Sequence, residues 1–213
     1  MFHETRRGAQ MTPTAGWRDE LDAAWREIEE WYAEHDAAHL LSAGASEADV
    51  GKVEAQLDVV LPALLRASLL RHNGTRRDGW ARGTLLSCGS IVAATELWRR
   101  IADHGEDVPA DYVCPDAERG LLQPGWWHAG WVAIDEDRLG NATGVDTAPG
   151  PLGSYGQVLE MDRITGPILS SGDVVEYLCE VADSLEDLRV GGGGTLEEND
   201  VWEGDDAPSA PSR

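Results

Sequence analysis

Two histidines one helical turn apart give this sequence its nearest approach to a zinc site. His35 and His39 are four residues apart in the run His-Asp-Ala-Ala-His. In the metalloprotease pattern that this run imitates, two histidines at that spacing bind Zn²⁺ and a glutamate between them is the general base. Here the base would be the shorter Asp36, and the spacing marks no third ligand. The alternative is a solvated helix end, where a histidine complements the helix dipole.

A second metal-like pattern lies at residues 135–146. The acids Asp135, Asp137 and Asp146 occupy positions 1, 3 and 12 of a twelve-residue calcium loop, and Gly140 occupies position 6. Position 5 is Leu139, which has no side-chain oxygen, and strand-like segments rather than helices flank the run. The alternative, which we favour, is an acidic turn at the surface.

Patterns for a nucleophile or a bound phosphate are missing from the sequence. Gly153-Ser-Tyr-Gly156 is one residue short of Gly-x-Ser-x-Gly, and the residue three before the single lysine, Lys52, is an aspartate. There is no Walker loop and no Gly-x-Gly-x-x-Gly. The residues therefore mark no catalytic site, and we expect no cofactor. A metal-dependent hydrolase is kept only as a third, unfavoured function.

Tryptophan is the one unusual feature of the composition, with nine residues against a single phenylalanine. Trp126, Trp127 and Trp131 form the densest aromatic cluster, and Trp131 leads a strand-like run. Adjacent residues of a strand face opposite ways, so Trp126 and Trp127 are not both expected in the core. We predict that one of them lines a groove or an interface, where tryptophan is enriched. Trp80, in a polar stretch, is a further candidate for exposure.

The charge balance restricts the classes of partner. The 213 residues include 17 Lys and Arg against 39 Asp and Glu, which gives a net charge of -22. Such a chain repels nucleic-acid phosphates and anionic membranes, so neither is expected as a partner. No run approaches the length of a membrane span and the first residues lack a secretory leader. The three cysteines form no close pair, which favours reduced thiols in the cytoplasm.

The chain divides into a disordered arm (1–15), one folded domain (16–190) and a flexible acidic tail (191–213) that opens with four glycines. Helical spacing of apolar residues predicts a first helix over 17–40, and further helices follow Ser46, Pro62, Ser90 and Ser170. Strand-like runs, separated by turn signals, are 84–87, 131–134, 143–145 and 157–161. Helices, then strands joined by short turns, then a helix predict an α+β fold whose helices wrap a mainly antiparallel sheet.

Several short motifs follow one another in a characteristic order along the chain. Their residues include Trp25, Glu54, Leu61, Pro62, Asn73, Gly74, Trp131, Asp146 and Gly156. The order of these motifs resembles the SUKH superfamily, in particular its cell-wall-assembly-regulator (SMI/KNR) branch, and the resemblance covers about residues 17–190. The chain departs from the pattern at Asp58, where a glycine is usual, and at Asn141, where an acid is expected.

The resemblance implies a helix-wrapped α+β sheet and a protein that binds other proteins without catalysing a reaction. Many bacterial members look like immunity proteins that neutralise toxins, often nucleases, and the fungal branch regulates cell-wall synthesis through protein partners. We expect an immunity protein whose acidic domain occludes the basic site of a toxin, and keep a regulatory scaffold in cell-wall synthesis or growth control as the alternative. The oligomeric state stays open. The expected contact residues are Trp80, Trp126, Trp127, Asp135, Glu136 and Asp137.

Overall fold

The computed structural model of this chain describes residues 16–104 and 112–199. Within these ranges the predicted α+β class with an antiparallel sheet is confirmed. The predicted arm lies outside the described residues, as does most of the predicted tail, residues 200–213. The helices are α1 (Trp17–Glu34), α2 (Glu47–Leu57), α3 (Ala63–Arg71), α4 (Cys88–His104), α5 (Pro115–Glu118) and α6 (Val174–Leu185). The strands are β1 (Thr84–Leu85), β2 (Trp131–Glu136), β3 (Ala142–Asp146), β4 (Val158–Asp162), β5 (Gly166–Ser171), β6 (Leu188–Val190) and β7 (Leu196–Glu198).

The first five strands form one sheet in chain order, and each pairs with its neighbour in antiparallel register. The outer strand β5 is partly capped, because the Asp116 carboxylate accepts a hydrogen bond from the Leu169 amide at 2.8 Å. A side chain on the free edge of a strand blocks pairing with another chain. Helix α4 packs on β2, and α6 packs on β5 and on α1.

Helix α1 places its apolar stripe in the core, as the spacing predicts. Its indole at Trp25 is fully buried and donates a hydrogen bond to the Ser68 hydroxyl in α3 at 3.1 Å. The helix ends at Glu34, six residues before the predicted end, and Asp36 then adopts a positive φ of 55°. The buried residues of α1 are Leu21, Ala24, Trp25, Ile28 and Tyr32.

Glu54 secures the connection between α2 and α3. One carboxylate oxygen accepts from the Leu61 amide at 2.9 Å, and the other accepts from the Arg66 guanidinium at 2.7 Å. The buried Leu61 side chain is thereby held in the core at the entry to α3. Pro62 precedes that helix and lies against Gly156, where an added Cβ would lie 3.1 Å from the proline ring.

Asn73 and Gly74 join α3 to the sheet. The Asn73 side-chain oxygen accepts from the Cys88 amide at 2.7 Å, which satisfies a donor at the start of α4. Gly74 has a φ of +81°, and a Cβ there would lie 2.6 Å from the backbone nitrogen of Ser87. Only glycine fits this backbone conformation and this close approach together.

The folded domain ends later in the chain than the predicted boundary between domain and tail. Strand β6 pairs with β7 in a short hairpin, and its glycine run, which the sequence favours as a linker, supplies the turn. Leu196 is buried, and its amide donates to the Asp78 carbonyl at 2.8 Å. Residues 191–199 therefore pack on the domain, which extends beyond the predicted end at 190.

A chain of buried hydrogen bonds ties the sheet to α6 and to the loop before β1. The Trp80 indole donates to the Tyr177 hydroxyl at 2.8 Å, and that hydroxyl donates to one Asp135 oxygen at 2.6 Å. The other Asp135 oxygen accepts from the Thr143 amide at 2.9 Å. Burial raises the pKa of the Asp135 carboxyl, and the Tyr177 and Thr143 donors oppose that effect. The network joins three segments that are far apart in the chain.

Asp146 is a second fully buried carboxylate, at the end of β3. Its oxygens accept from the Ala148 amide at 2.8 Å and from the Gln157 side-chain amide at 2.9 Å. Gln157 also donates to the Leu121 carbonyl at 2.8 Å, so the pair anchors the loop before β2. Burial raises the pKa of Asp146 from 3.8 to about 6, against the opposing effect of these hydrogen bonds.

Tyr177→Phe is expected to lower the free energy of unfolding by at least about 2 kcal/mol, because it leaves the Trp80 N–H and one Asp135 oxygen buried without a partner. Urea unfolding followed by tryptophan fluorescence measures the loss. The matched control is Tyr112→Phe, which removes a buried hydroxyl that has no hydrogen-bond partner among the described residues. Equal losses in the two variants would contradict a special role for the network.

Asp146 is expected to contribute stability that grows as the pH falls from 7 towards 4.5, whereas His128, whose pKa is lowered by burial and by Arg99, acts in the opposite direction. The folded-state pKa of Asp146, about 6, lies above the ordinary 3.8, so the folded chain takes up a proton in this window before the unfolded chain does. Two pKa units correspond to at most about 3 kcal/mol. Below this window Glu29 acts in the opposite direction, because the Arg71 guanidinium lowers its pKa to about 2.

Asp146→Asn should remove most of that pH dependence, whereas the exposed Asp183→Asn should leave it intact. Urea midpoints measured at several pH values between 4.5 and 7 make the comparison. A wild-type slope retained in Asp146→Asn would show that other carboxyls carry the effect.

Candidate protein-binding surface

The predicted tryptophan anchors lie inside the protein. Trp80 is 1% exposed, and its ring lies 5.7 Å from that of Trp25. Trp127 stacks on Trp98 at 5.3 Å, and Trp126 lies edge-on to a tyrosine ring at 4.7 Å. Trp126 and Trp127 occupy a loop rather than a strand, so alternation of faces does not apply, and both rings are largely buried. Trp127 belongs to the core, whereas Trp126 lies outside the core cluster and lines a groove.

The acidic run 135–137 is also placed differently from its prediction as an exposed turn. Asp135 lies within β2, is 2% exposed and belongs to the buried network. Glu136 is half-buried and pairs with Thr84 on one side and Ala142 on the other. Its pKa is raised, first by burial and then by the neighbouring acids. The predicted β-hairpin is present, but β2 continues through Glu136. The turn therefore begins at Asp137, two residues after the predicted start of the acidic turn.

Asp137 shapes the turn between β2 and β3 with its own carboxylate. One oxygen accepts from the amides of Leu139 at 2.7 Å and Asn141 at 2.8 Å. The other accepts from the Asn141 side-chain amide at 2.8 Å. Aspartate side chains commonly stabilise turns by bonding to the backbone two residues further on. The Leu139 side chain at the tip is left 80% exposed.

Asp162 shapes the turn between β4 and β5 in the same way. Its Oδ1 accepts from the amides of Ile164 and Thr165, both at 2.7 Å, and these bonds lower the pKa of its carboxyl. The Ile164 side chain at this tip is 84% exposed. Asn141 links the two turns, because its side-chain oxygen accepts from the Arg163 amide at 3.1 Å.

The two turns share a short sequence, Asp-Arg-Leu at 137–139 and Asp-Arg-Ile at 162–164. The aliphatic side chain two residues after each aspartate stands at a hairpin tip, where polar residues are usual. This recurrence was the sequence signal for a surface that the sequence analysis missed. We call the group Asp137, Leu139, Asn141, Asp162 and Ile164 the hairpin-tip surface.

An acidic cleft opens beside the hairpin-tip surface. One row of cross-strand pairs runs over β2 to β5, and paired residues lie on the same face of a sheet. The members of this row are Asp135, Thr143, Glu160 and Ile168. Arg82 reaches this row from the loop before β1 and forms an ion pair with Glu160. The cleft shares Asp137, Asn141 and Asp162 with the hairpin-tip surface. Its lining is completed by Arg82, Asp135, Ala142, Thr143, Glu160 and Met161.

The two metal-like patterns are not assembled into metal sites. His35 lies just beyond the end of α1, with its ring nitrogen on the Trp31 carbonyl, whereas His39 faces the Asp36 carbonyl. Asp146 pairs with Trp131 at the far end of the β2–β3 hairpin from Asp137, so these acids cannot surround one calcium ion. Among residues 16–104 and 112–199 no group of three or more acidic, histidine or cysteine side chains is placed to hold a metal.

No helix in the described part of the chain is long and apolar enough to cross a membrane. The three cysteines are free thiols, of which Cys88 and Cys114 are buried and Cys179 is exposed.

The sequence of this chain is similar to those of proteins named as regulators of the cell wall. A family model described as the SMI1 / KNR4 family (SUKH-1) matches residues 44–189. The cell wall biosynthesis/cell cycle regulator smi1 of Schizosaccharomyces pombe is 34% identical over 158 residues, which cover 67% of this chain and 31% of that protein. The cell wall assembly regulator SMI1 of Saccharomyces cerevisiae is 26% identical, over 84% of this chain and 42% of that protein. A glucan synthesis regulatory protein of Neurospora crassa is 28% identical, over 66% and 34%.

These relatives contradict the main functional prediction. Their names concern cell-wall biosynthesis, cell-wall assembly and glucan synthesis, and none concerns toxin immunity. The expectation of an immunity protein that occludes a basic toxin is therefore wrong, and the alternative reading, a regulator, is the better supported one. The sequence misled because an acidic chain without a recognised catalytic motif suits either role.

The chain spans about a third of the length of these relatives, so the match concerns one part of longer proteins. Within this chain, however, the family model covers well over half of the residues, and it includes α2 to α6 and the whole five-stranded sheet. The resemblance seen in the sequence motifs is confirmed: this chain belongs to the SMI1/KNR4 family (SUKH-1).

Proposed function

We propose that this chain is a non-enzymatic protein-binding domain that regulates cell-wall synthesis or growth. The observation that carries the proposal is membership of a family whose named relatives are regulators of the cell wall. A regulator that acts without catalysis must act by contact, so the domain's surface rather than a reactive centre is its working part.

The engagement of the acidic side chains supports binding over catalysis. Asp135 accepts from Tyr177, Asp137 and Asp162 hold turns, and Glu160 pairs with Arg82. A general acid and base pair needs carboxyls whose protons can move to a substrate. Each of these four carboxyls instead has at least one oxygen held by a structural hydrogen bond or ion pair, which leaves its charge in place but restricts it as a proton carrier.

The charge of the chain favours a basic protein partner. Acidic residues outnumber basic ones 39 to 17, and this excess attracts a positively charged surface from a distance and accelerates the encounter. The same charge disfavours nucleic acids and anionic membranes as partners. Three free cysteine thiols support the cytoplasm as the place of action, because disulfides are rare there.

Deletion of the gene in cells that carry it is expected to slow incorporation of labelled precursor into wall polymer and to lower survival in wall-degrading enzyme. The reason is that a lost regulator leaves the synthesis of the wall uncoordinated. The wild-type gene should restore both readouts. As a control for folding, Tyr112→Phe should restore them and the destabilised Tyr177→Phe should restore them less. Unchanged wall synthesis and survival in the deletion strain would overturn the proposed function.

A further inference from the structure

The hairpin-tip surface presents two large aliphatic side chains to solvent on neighbouring turns. Leu139 and Ile164 are 80% and 84% exposed, and Asn141 bonds the two turns to each other. Single exposed apolar residues are ordinary on protein surfaces, but a paired arrangement is not explained by packing. Neither side chain contributes to the core of the domain.

The two turns are held rigid by the same device. In each turn the aspartate carboxylate accepts the amide of the aliphatic residue at 2.7 Å. Binding to a surface that is already ordered avoids the entropic cost of fixing loops. Leu139 and Ile164 are therefore held in position for contact before a partner binds. Because the aspartates bond to backbone amides, polar residues at the tips would serve the turns equally well, so the turns do not require aliphatic side chains.

The charge beside the tips selects the chemistry of the partner. The acidic cleft contains Asp137, Glu160 and Asp162 around one basic side chain, Arg82. Leu139 and Ile164 also line a second groove, whose other apolar side chains are Trp98, Ile101 and Trp126. Its polar lining is Asn141, Asp162 and Arg163. A partner that covers this region meets the acidic cleft and the partly apolar groove that Leu139 and Ile164 line.

We propose that the hairpin-tip surface docks a basic segment of a protein partner, with a lysine or arginine in the acidic cleft and an adjacent aliphatic or aromatic side chain against Leu139 and Ile164. The inference rests on the proposed function, in which the domain acts by binding a protein. A second copy of this chain does not fit, because two chains of net charge -22 repel each other at an acidic surface.

A peptide selection tests the docking chemistry directly. The whole chain is immobilised and challenged with a library of random twelve-residue peptides displayed on phage. The enriched peptides should place lysine or arginine within one or two residues of an aliphatic or aromatic residue. Enrichment of acidic or purely polar peptides, or no enrichment at all, would overturn the proposal.

The location is tested with an enriched peptide and fluorescence anisotropy. The double variant Leu139→Ser and Ile164→Ser should weaken binding by about tenfold or more, a loss of about 1.4 kcal/mol, because it removes both apolar contacts of the docked segment. The matched control is Leu152→Ser, which removes a leucine that is 74% exposed on a different turn. This control should bind within about twofold of wild type, and equal effects of the two changes would place the site elsewhere.

Charge is tested separately from apolar contact. Glu160→Gln should weaken peptide binding more than Glu30→Gln, an exposed change on α1 that makes the net charge less negative by the same single unit. Equal effects would mean that only the overall charge attracts the peptide and would contradict a cation in the cleft. Circular dichroism melts of each variant identify any that fail to fold.

The two proposals fail in different experiments. A peptide selection without the expected pattern removes the docking surface but leaves the deletion strain's wall phenotype unaffected. A deletion strain with normal walls removes the role in the cell wall, even if the tips bind basic peptides.

Discussion

The buried carboxylate of Asp135 is the constraint on which the rest of the structure depends. A carboxylate in a protein interior is costly unless donors surround it. Here the donors come from α6 through Tyr177 and from the adjacent strand β3, and Trp80 in the loop before β1 donates in turn to Tyr177. Because the donors belong to segments far apart in the chain, satisfying one carboxylate fixes how helix, loop and sheet meet.

The same chemistry recurs at the surface with a different result. Asp137 and Asp162 also accept hydrogen bonds from backbone amides, but they lie at hairpin tips. There they stabilise the conformation of a turn, whereas Asp135 stabilises the contact between helix, loop and sheet. Much of the acidity near the candidate surface thus has a structural use. What remains directed at solvent is the cleft beside the tips and the two aliphatic side chains, which the fold does not need.

The departures from the family pattern have local explanations. Asp58 ends α2 with a φ of 54°, a left-handed conformation that favours glycine and that aspartate tolerates better than most residues. Asn141 both donates to Asp137 and accepts from Arg163, and an acid at that position could not donate. The asparagine can therefore bond to its own turn and to the neighbouring turn at once, without placing a second negative charge beside Asp137.

The sequence by itself determined the fold class, the apolar stripe of α1, four of the five strands of the main sheet and the family. These features follow from local periodicity, turn residues and motif order, which need no knowledge of distant contacts. It missed β5, which carries Gly166 and Pro167, residues that strands disfavour away from edges. Only the tertiary structure decided that Trp80, Trp126, Trp127 and Asp135 are buried and that Leu139 and Ile164 are not. Whether a side chain is buried depends on which segments pack against it. That packing is determined by cross-strand register and by the Asp135 network, both of which join residues far apart in the chain.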